Sequence, residues 1–167
     1  MRARPLQIAA LLAGVTLVAY FFANVEVQIE GADGWAARLP VTFRIEKHWL
    51  LDLFWGGRPM TGYHAWAFSF MAVAFHFPLI AAWRWSWRIE ARIVACLALF
   101  WVIEDFLWFV LNPAYGVGPL FARQVPWHKK WLLGLPQDYW SFALVAALLL
   151  WLSYRGGRRD AQATQFG

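Results

Sequence analysis

The sequence predicts an all-α integral membrane protein: a four-transmembrane-helix bundle with short interfacial helices and a small β-hairpin on the outer side. Three observations carry that expectation. Hydrophobic residues make up 61% of the 167 positions and charged residues 15%, with a mean hydropathy of +0.45, which lies outside the range of globular domains and inside that of polytopic membrane proteins. Thirteen Trp and fourteen Phe are more large rings than a soluble core of this size can hide, whereas a bilayer solvates them and its interfaces favour Trp and Tyr. Four apolar stretches are long enough to cross about 30 Å of hydrocarbon as helices.

The first stretch, Leu6 to Val25, follows the basic start "MRARP". Around "YFFANVE" it lacks the small-x-small pattern that a signal peptidase reads, so it is expected as a retained anchor. The second runs from Tyr63 to Trp83 and the third from Ile93 to Leu111. The fourth, Pro136 to Tyr154, has Pro at a first helical position and Trp151 and Tyr154 at its far end, where an interface would hold them. No repeat, low-complexity tract or domain boundary interrupts residues 1–167, so one membrane domain is expected.

Orientation follows from Lys and Arg near the span ends. With four spans, Arg2, Arg4, Arg84, Arg88, Arg92, Arg155, Arg158 and Arg159 fall on one side, in short segments. Arg38, Arg44, Lys47, Arg58, Arg123, Lys129 and Lys130 spread over two long connections, 26–62 and 112–135, on the other. The positive-inside rule places both termini in the cytoplasm and the long connections outside, in the plasma (inner) membrane. The net charge of +5 therefore reads as affinity for anionic lipid headgroups, and nucleic acid is not expected as a partner. Cys96 is the one cysteine and sits in an apolar run, which excludes a disulfide framework and a thiolate metal cluster within the chain.

The outer connections carry structure of their own. "VEVQIE" and "VTFRIE" alternate with period two around the turn-rich "GADG", the pattern of a hairpin standing on the membrane surface. "KHWLLDLFWGG" reads as a short interfacial helix stopped by Gly56 and Gly57. In "VPWHKKWLLGLP", Pro126 and Gly134 bracket what reads as a second one.

Against this apolar background Glu104 and Asp105 stand out, because adjacent carboxylates in a lipid-length helix must face protein, pair or bind an ion. At 1.5 Å per residue Glu104 lies about 11 Å below the outer end of its span. At 100° per residue, Trp101, Glu104, Asp105, Trp108 and Asn112 share about 100° of arc, so the polar residues of this helix form one face. Candidate partners on the same side are His48, Asp52, His64, His128 and Asp138. His48 and Asp52, spaced i,i+4, share a helical face. His76 lies about 18 Å deeper than His64 and about 120° around the helix, too far to join it, and is expected to make an interhelical hydrogen bond.

Imidazole plus carboxylate suits a divalent metal, zinc or non-haem iron. The expectation is that Glu104 and Asp105 meet some of His48, Asp52, His64 and His128 around such an ion, and that the two acids act in a metal-dependent enzyme on a lipid or other apolar substrate. The rival reading is a structural ion-pair network with Arg58, Arg123 or Lys129, in a non-catalytic membrane subunit or assembly protein within a homo-oligomer or larger complex. A proton path through Glu104 and Asp105 is a third, which four spans line with difficulty.

Overall fold

The computed structural model of the protein describes residues 3–36, 39–54, 57–83 and 85–155. Arg2, Arg38, Gly56, Arg84, Arg158 and Arg159, which entered the charge and glycine arguments, lie outside the described residues. The element order is α1 (Ala3–Glu30), β1 (Arg44–Ile45), α2 (Trp49–Phe54), β2 (Met60–Thr61), α3 (Gly62–Ala82), α4 (Trp87–Leu111), α5 (Gly118–Phe121), β3 (Trp131–Leu132), β4 (Leu135–Pro136) and α6 (Gln137–Arg155). Three helices, α1, α3 and α4, are long and apolar enough to cross a membrane.

Local chemistry sets the boundaries. Ser86 starts α4 six residues before the expected span, its hydroxyl accepting from the Ile89 amide at 3.2 Å in the manner of an N-cap. Asn112 ends the same helix. Its amide donates to Trp108 O at 2.9 Å, its Oδ1 accepts from the Ala114 amide at 3.0 Å, and its Nδ2 reaches Gly31 O at 2.7 Å. The tops of α1 and α4 are thereby joined.

Helix α4 is the centre of the bundle and packs most extensively on α6 and α1. Val15, Ala19, Met71, Cys96 and Phe100 form a core shared by α1, α3 and α4. Ala95, Ala98 and Ala146 form a small-residue contact between α4 and α6, where short side chains let backbones approach closely. A plug of Trp108, Phe109, Leu120, Val125 and Trp127 packs at the end where α4 finishes. Burial in this plug pushes the Tyr115 phenol above its ordinary pKa. The helices alternate in direction: α1 runs parallel to α4, while α3 opens beside Glu26 and reaches Glu90 with His76, whose Nε2 lies 2.9 Å from the Glu90 carboxylate.

Two sequence expectations are corrected. "VEVQIE" is not a strand, because α1 continues through Glu30. Period two is visible in Val25, Val27 and Ile29, but the buried or half-buried positions Val15, Ala19, Phe22, Ala23, Glu26 and Glu30 follow helical spacing, and that face meets α4. Of "VTFRIE" only Arg44 and Ile45 pair, with Thr61 and Met60. The stretch from Pro126 to Gly134 is not a helix either. It turns and then forms a two-residue antiparallel ladder, Trp131 opposite Pro136 and Leu132 opposite Leu135. Leu133 and Gly134 close it with φ of 49° and 87°, the pair of positive values that a tight two-residue hairpin loop requires. The short helix expected after Lys47 does form, as the six-residue α2.

Candidate functional site

The adjacency of Glu104 and Asp105, about 100° apart around α4, aims them at different neighbours. Glu104 faces α1 and Asp105 faces α6. A cavity of about 50 Å³ toward the end of the bundle where α1 and α4 finish lies between, bordered by both carboxylates and by Glu26, Glu30, Arg58 and Asp138. Its walls are aromatic, among them Trp35, Trp101, Trp108, Trp127 and Tyr139.

On the α6 side the polar groups form a closed network. The Arg58 guanidinium, 5% exposed, contacts the Asp138 carboxylate, 4% exposed, and its Nη1 lies 3.7 Å from Asp105 Oδ1. Its Cζ sits 4.2 Å from the centroid of Trp35, within cation–π range. His128 presents Nε2 to Asp105 Oδ2 at 3.2 Å and Nδ1 to Asp138 Oδ1 at 3.7 Å, so both ring nitrogens face carboxylates. The Tyr139 hydroxyl donates to the same Asp105 oxygen. Three segments distant in sequence meet here, which satisfies the requirement that buried charges be paired.

On the α1 side the groups are carboxyls. Glu26 and Glu104 are within hydrogen-bonding reach of each other, an interaction that needs one proton between two otherwise acceptor-only groups. Tyr63 donates to Glu26 Oε1 at 2.8 Å, and the Ala36 amide donates to Glu30 Oε1 at 2.6 Å. His64 closes this wall. Its Nδ1 lies 2.7 Å from the Thr61 hydroxyl and accepts from the Thr61 amide at 3.3 Å, which leaves the ring proton to Nε2. Its ring stacks on Trp35 with centroids 3.8 Å apart.

The roof is the loop after α1. Gly34 has φ of +64°, and a Cβ there would lie 2.9 Å from Trp108 Cη2 and closer still to Trp127. Only glycine lets the chain pass so near the two indoles. Trp35 and Ala36 follow with φ of 46° and 51°, a left-handed run that non-glycine residues rarely adopt and that brings Trp35 over Arg58 and His64.

The candidates named from sequence divide. Glu104, Asp105 and His64 border the cavity, and His128 reaches it through Asp105. His48 and Asp52 do not join them. His48 is exposed and its Nδ1 accepts from the Leu50 amide at 3.3 Å, while Asp52 is exposed and lies 3.9 Å from Lys130 Nζ. Helix α2 turns Leu51 inward instead. Among the described residues no group of three or more His, Cys, Asp or Glu is arranged to hold a metal ion, so a zinc or iron centre is not supported. Of the cations considered as partners Arg58 is the one found at Asp105, while Lys129 donates to Gly57 O at 3.0 Å. Glu26, Glu30 and Trp35 were missed. Their signal was the i,i+4 spacing of the two acids at the end of an apolar run, obscured by the alternation around them.

Three residues bordering the cavity leave buried polar atoms without a hydrogen bond: Arg58 at Nε and Nη1, Glu104 at Oε1 and Trp108 at Nε1. No protein-family model, curated protein or solved structure matches this chain.

Proposed function

We propose that this chain is a four-span membrane protein that holds the polar end of a lipid or other apolar molecule in its outer-half cavity. Glu104, paired with Glu26, is the group that exchanges hydrogen bonds with the bound end and has the capacity for acid–base work on it. One observation carries the reading: Arg58, Glu104 and Trp108, which hold buried atoms without a hydrogen bond, all line one cavity. Buried polar groups are otherwise nearly always satisfied, at a cost of about 1–3 kcal/mol for each that is not.

The fourth span is supported by the way α6 lies along α4. Tyr139 meets Asp105 at one end, and at the other Arg92 Cζ sits 4.6 Å from the Tyr154 ring centroid, so both helices traverse the same slab. Arg88, Arg92 and Arg155 gather at the end opposite the cavity. By the positive-inside rule that end is cytoplasmic, the termini with it, in a plasma (inner) membrane whose anionic headgroups it contacts.

For Asp105 a second reading is favoured by a specific observation. Its partners Arg58, His128 and Tyr139 already surround it, so it is a structural anchor and Glu104 the reactive carboxyl.

Native mass spectrometry of protein purified in mild detergent tests the reading. Wild type carries a lipid-sized adduct that Glu104→Met loses. A wild-type protein without any adduct, whose melting temperature is also indifferent to added membrane lipid extract, would refute it.

A further inference from the structure

The geometry points to a hydroxyl group as the bound end: the cavity between Arg58, Glu104 and Trp108 is a site for a primary alcohol. This rests on the binding reading above and specifies its ligand chemistry.

The unpartnered atoms set the requirement. Arg58 Nε and Trp108 Nε1 are donors and Glu104 Oε1 is an acceptor, and their residues are 5%, 3% and 3% exposed. Glu104 Oε1 accepts when the shared proton lies on Glu26 or on the other Glu104 oxygen. An alcohol oxygen offers one O–H donor and two lone pairs. It donates to Glu104 and accepts from Arg58 Nε and Trp108 Nε1, while Arg58 Nη1, also without a hydrogen bond, faces the Asp105 carboxylate at 3.7 Å. A primary ammonium has donors and no acceptor, so it would leave the Arg58 and Trp108 N–H groups unsatisfied beside a guanidinium. A carboxylate has acceptors alone and would meet Glu104, Glu26 and Glu30 at close range.

Size narrows the choice further. The cavity is about 50 Å³, several times the roughly 10–15 Å³ of such space that one water needs. That is room for a small polar end group such as a hydroxymethyl, and a phosphate, like a carboxylate, would bring acceptors against Glu104, Glu26 and Glu30. The walls match, because Trp35, Trp101 and Trp127 offer apolar ring surface around the polar floor.

Full-length protein in detergent micelles is titrated with dodecanol, a monoacylglycerol, dodecylamine, dodecanoate and, as a soluble alcohol, ethanol, following thermal unfolding and indole fluorescence. Dodecanol and the monoacylglycerol are expected to give a saturable rise in melting temperature in wild type. Trp108→Phe and Glu104→Met each weaken this about tenfold, the loss of one buried hydrogen bond. A saturable effect of ethanol at comparable concentration assigns the site to free alcohols and still supports the hydroxyl chemistry. Equal or stronger stabilisation by dodecylamine or dodecanoate overturns the hydroxyl assignment while leaving the binding reading intact. If no amphiphile acts saturably, the cavity holds water and both readings fail. The wild-type series decides between these outcomes even if a variant does not fold.

Discussion

The guanidinium of Arg58, in the loop that leads into α3, closes on the carboxylate of Asp138 in the first turn of α6, 80 residues further along the chain. Both are buried. Because the pair ties the connection between α1 and α3 to α6, that end of the bundle is held by charge as well as by the aromatic plug.

Removing one partner leaves the other charged and buried. Arg58→Ala should lower stability by about 3–5 kcal/mol, the usual cost of breaking such a pair, measured by unfolding in micelles. Replacing Arg58 and Asp138 together should cost less than the sum of the single changes. Additivity within about 0.5 kcal/mol would show that they are not coupled.

Gly34→Ala should damage the roof of the cavity. It adds a Cβ against Trp108 and Trp127 at a φ of +64°, so a loss of about 2–4 kcal/mol is expected from clash and backbone strain together. Gly116 has φ of +72° but open space around it. Its Ala variant should lose only about 1–2 kcal/mol, the left-handed backbone cost. Equal melting temperatures for the two variants would show that the indoles do not constrain the loop.

The histidines should separate by location. His128 sits between Asp105 and Asp138, and His128→Leu should cost about 2–4 kcal/mol by removing the partner of one buried and one half-buried carboxylate. His76 and Glu90 have side chains 28% and 36% exposed, so His76→Gln should cost under about 1 kcal/mol and leave dodecanol binding unchanged. Comparable losses would contradict the placement of His128.

Topology can be read in a Cys96→Ala background with single cysteines at Trp83, Gln124 and Arg155. A membrane-impermeant maleimide applied to intact cells should label Gln124→Cys alone, and the other two only after permeabilisation. Labelling of Gln124→Cys and Arg155→Cys from the same side would mean that α6 does not cross.

The sequence by itself determined the elements whose cause is local or additive. Long apolar runs are a property of the chain alone, so the expected helices 63–83 and 136–154 fall within one residue of α3 and α6 and 93–111 within six of α4, and of these α3 and α4 are long and apolar enough to cross a membrane. The polar face of α4 was legible too, because 100° per residue places Glu104 and Asp105 without knowledge of any neighbour. Tertiary structure decided what those faces meet. Val25 to Glu30 alternates with period two, but the segment continues α1, whose helically spaced face from Val15 to Glu30 is the one that packs toward α4. The i,i+4 spacing of His48 and Asp52 predicts a shared helical face, but not that α2 begins after His48 and turns Leu51 inward. Arg58 finds Asp138 across 80 residues, a contact that depends on how α6 and the first outer connection pack. Buried charge fixes such pairings, since an ionised group excluded from water must take whatever partner the fold brings within reach.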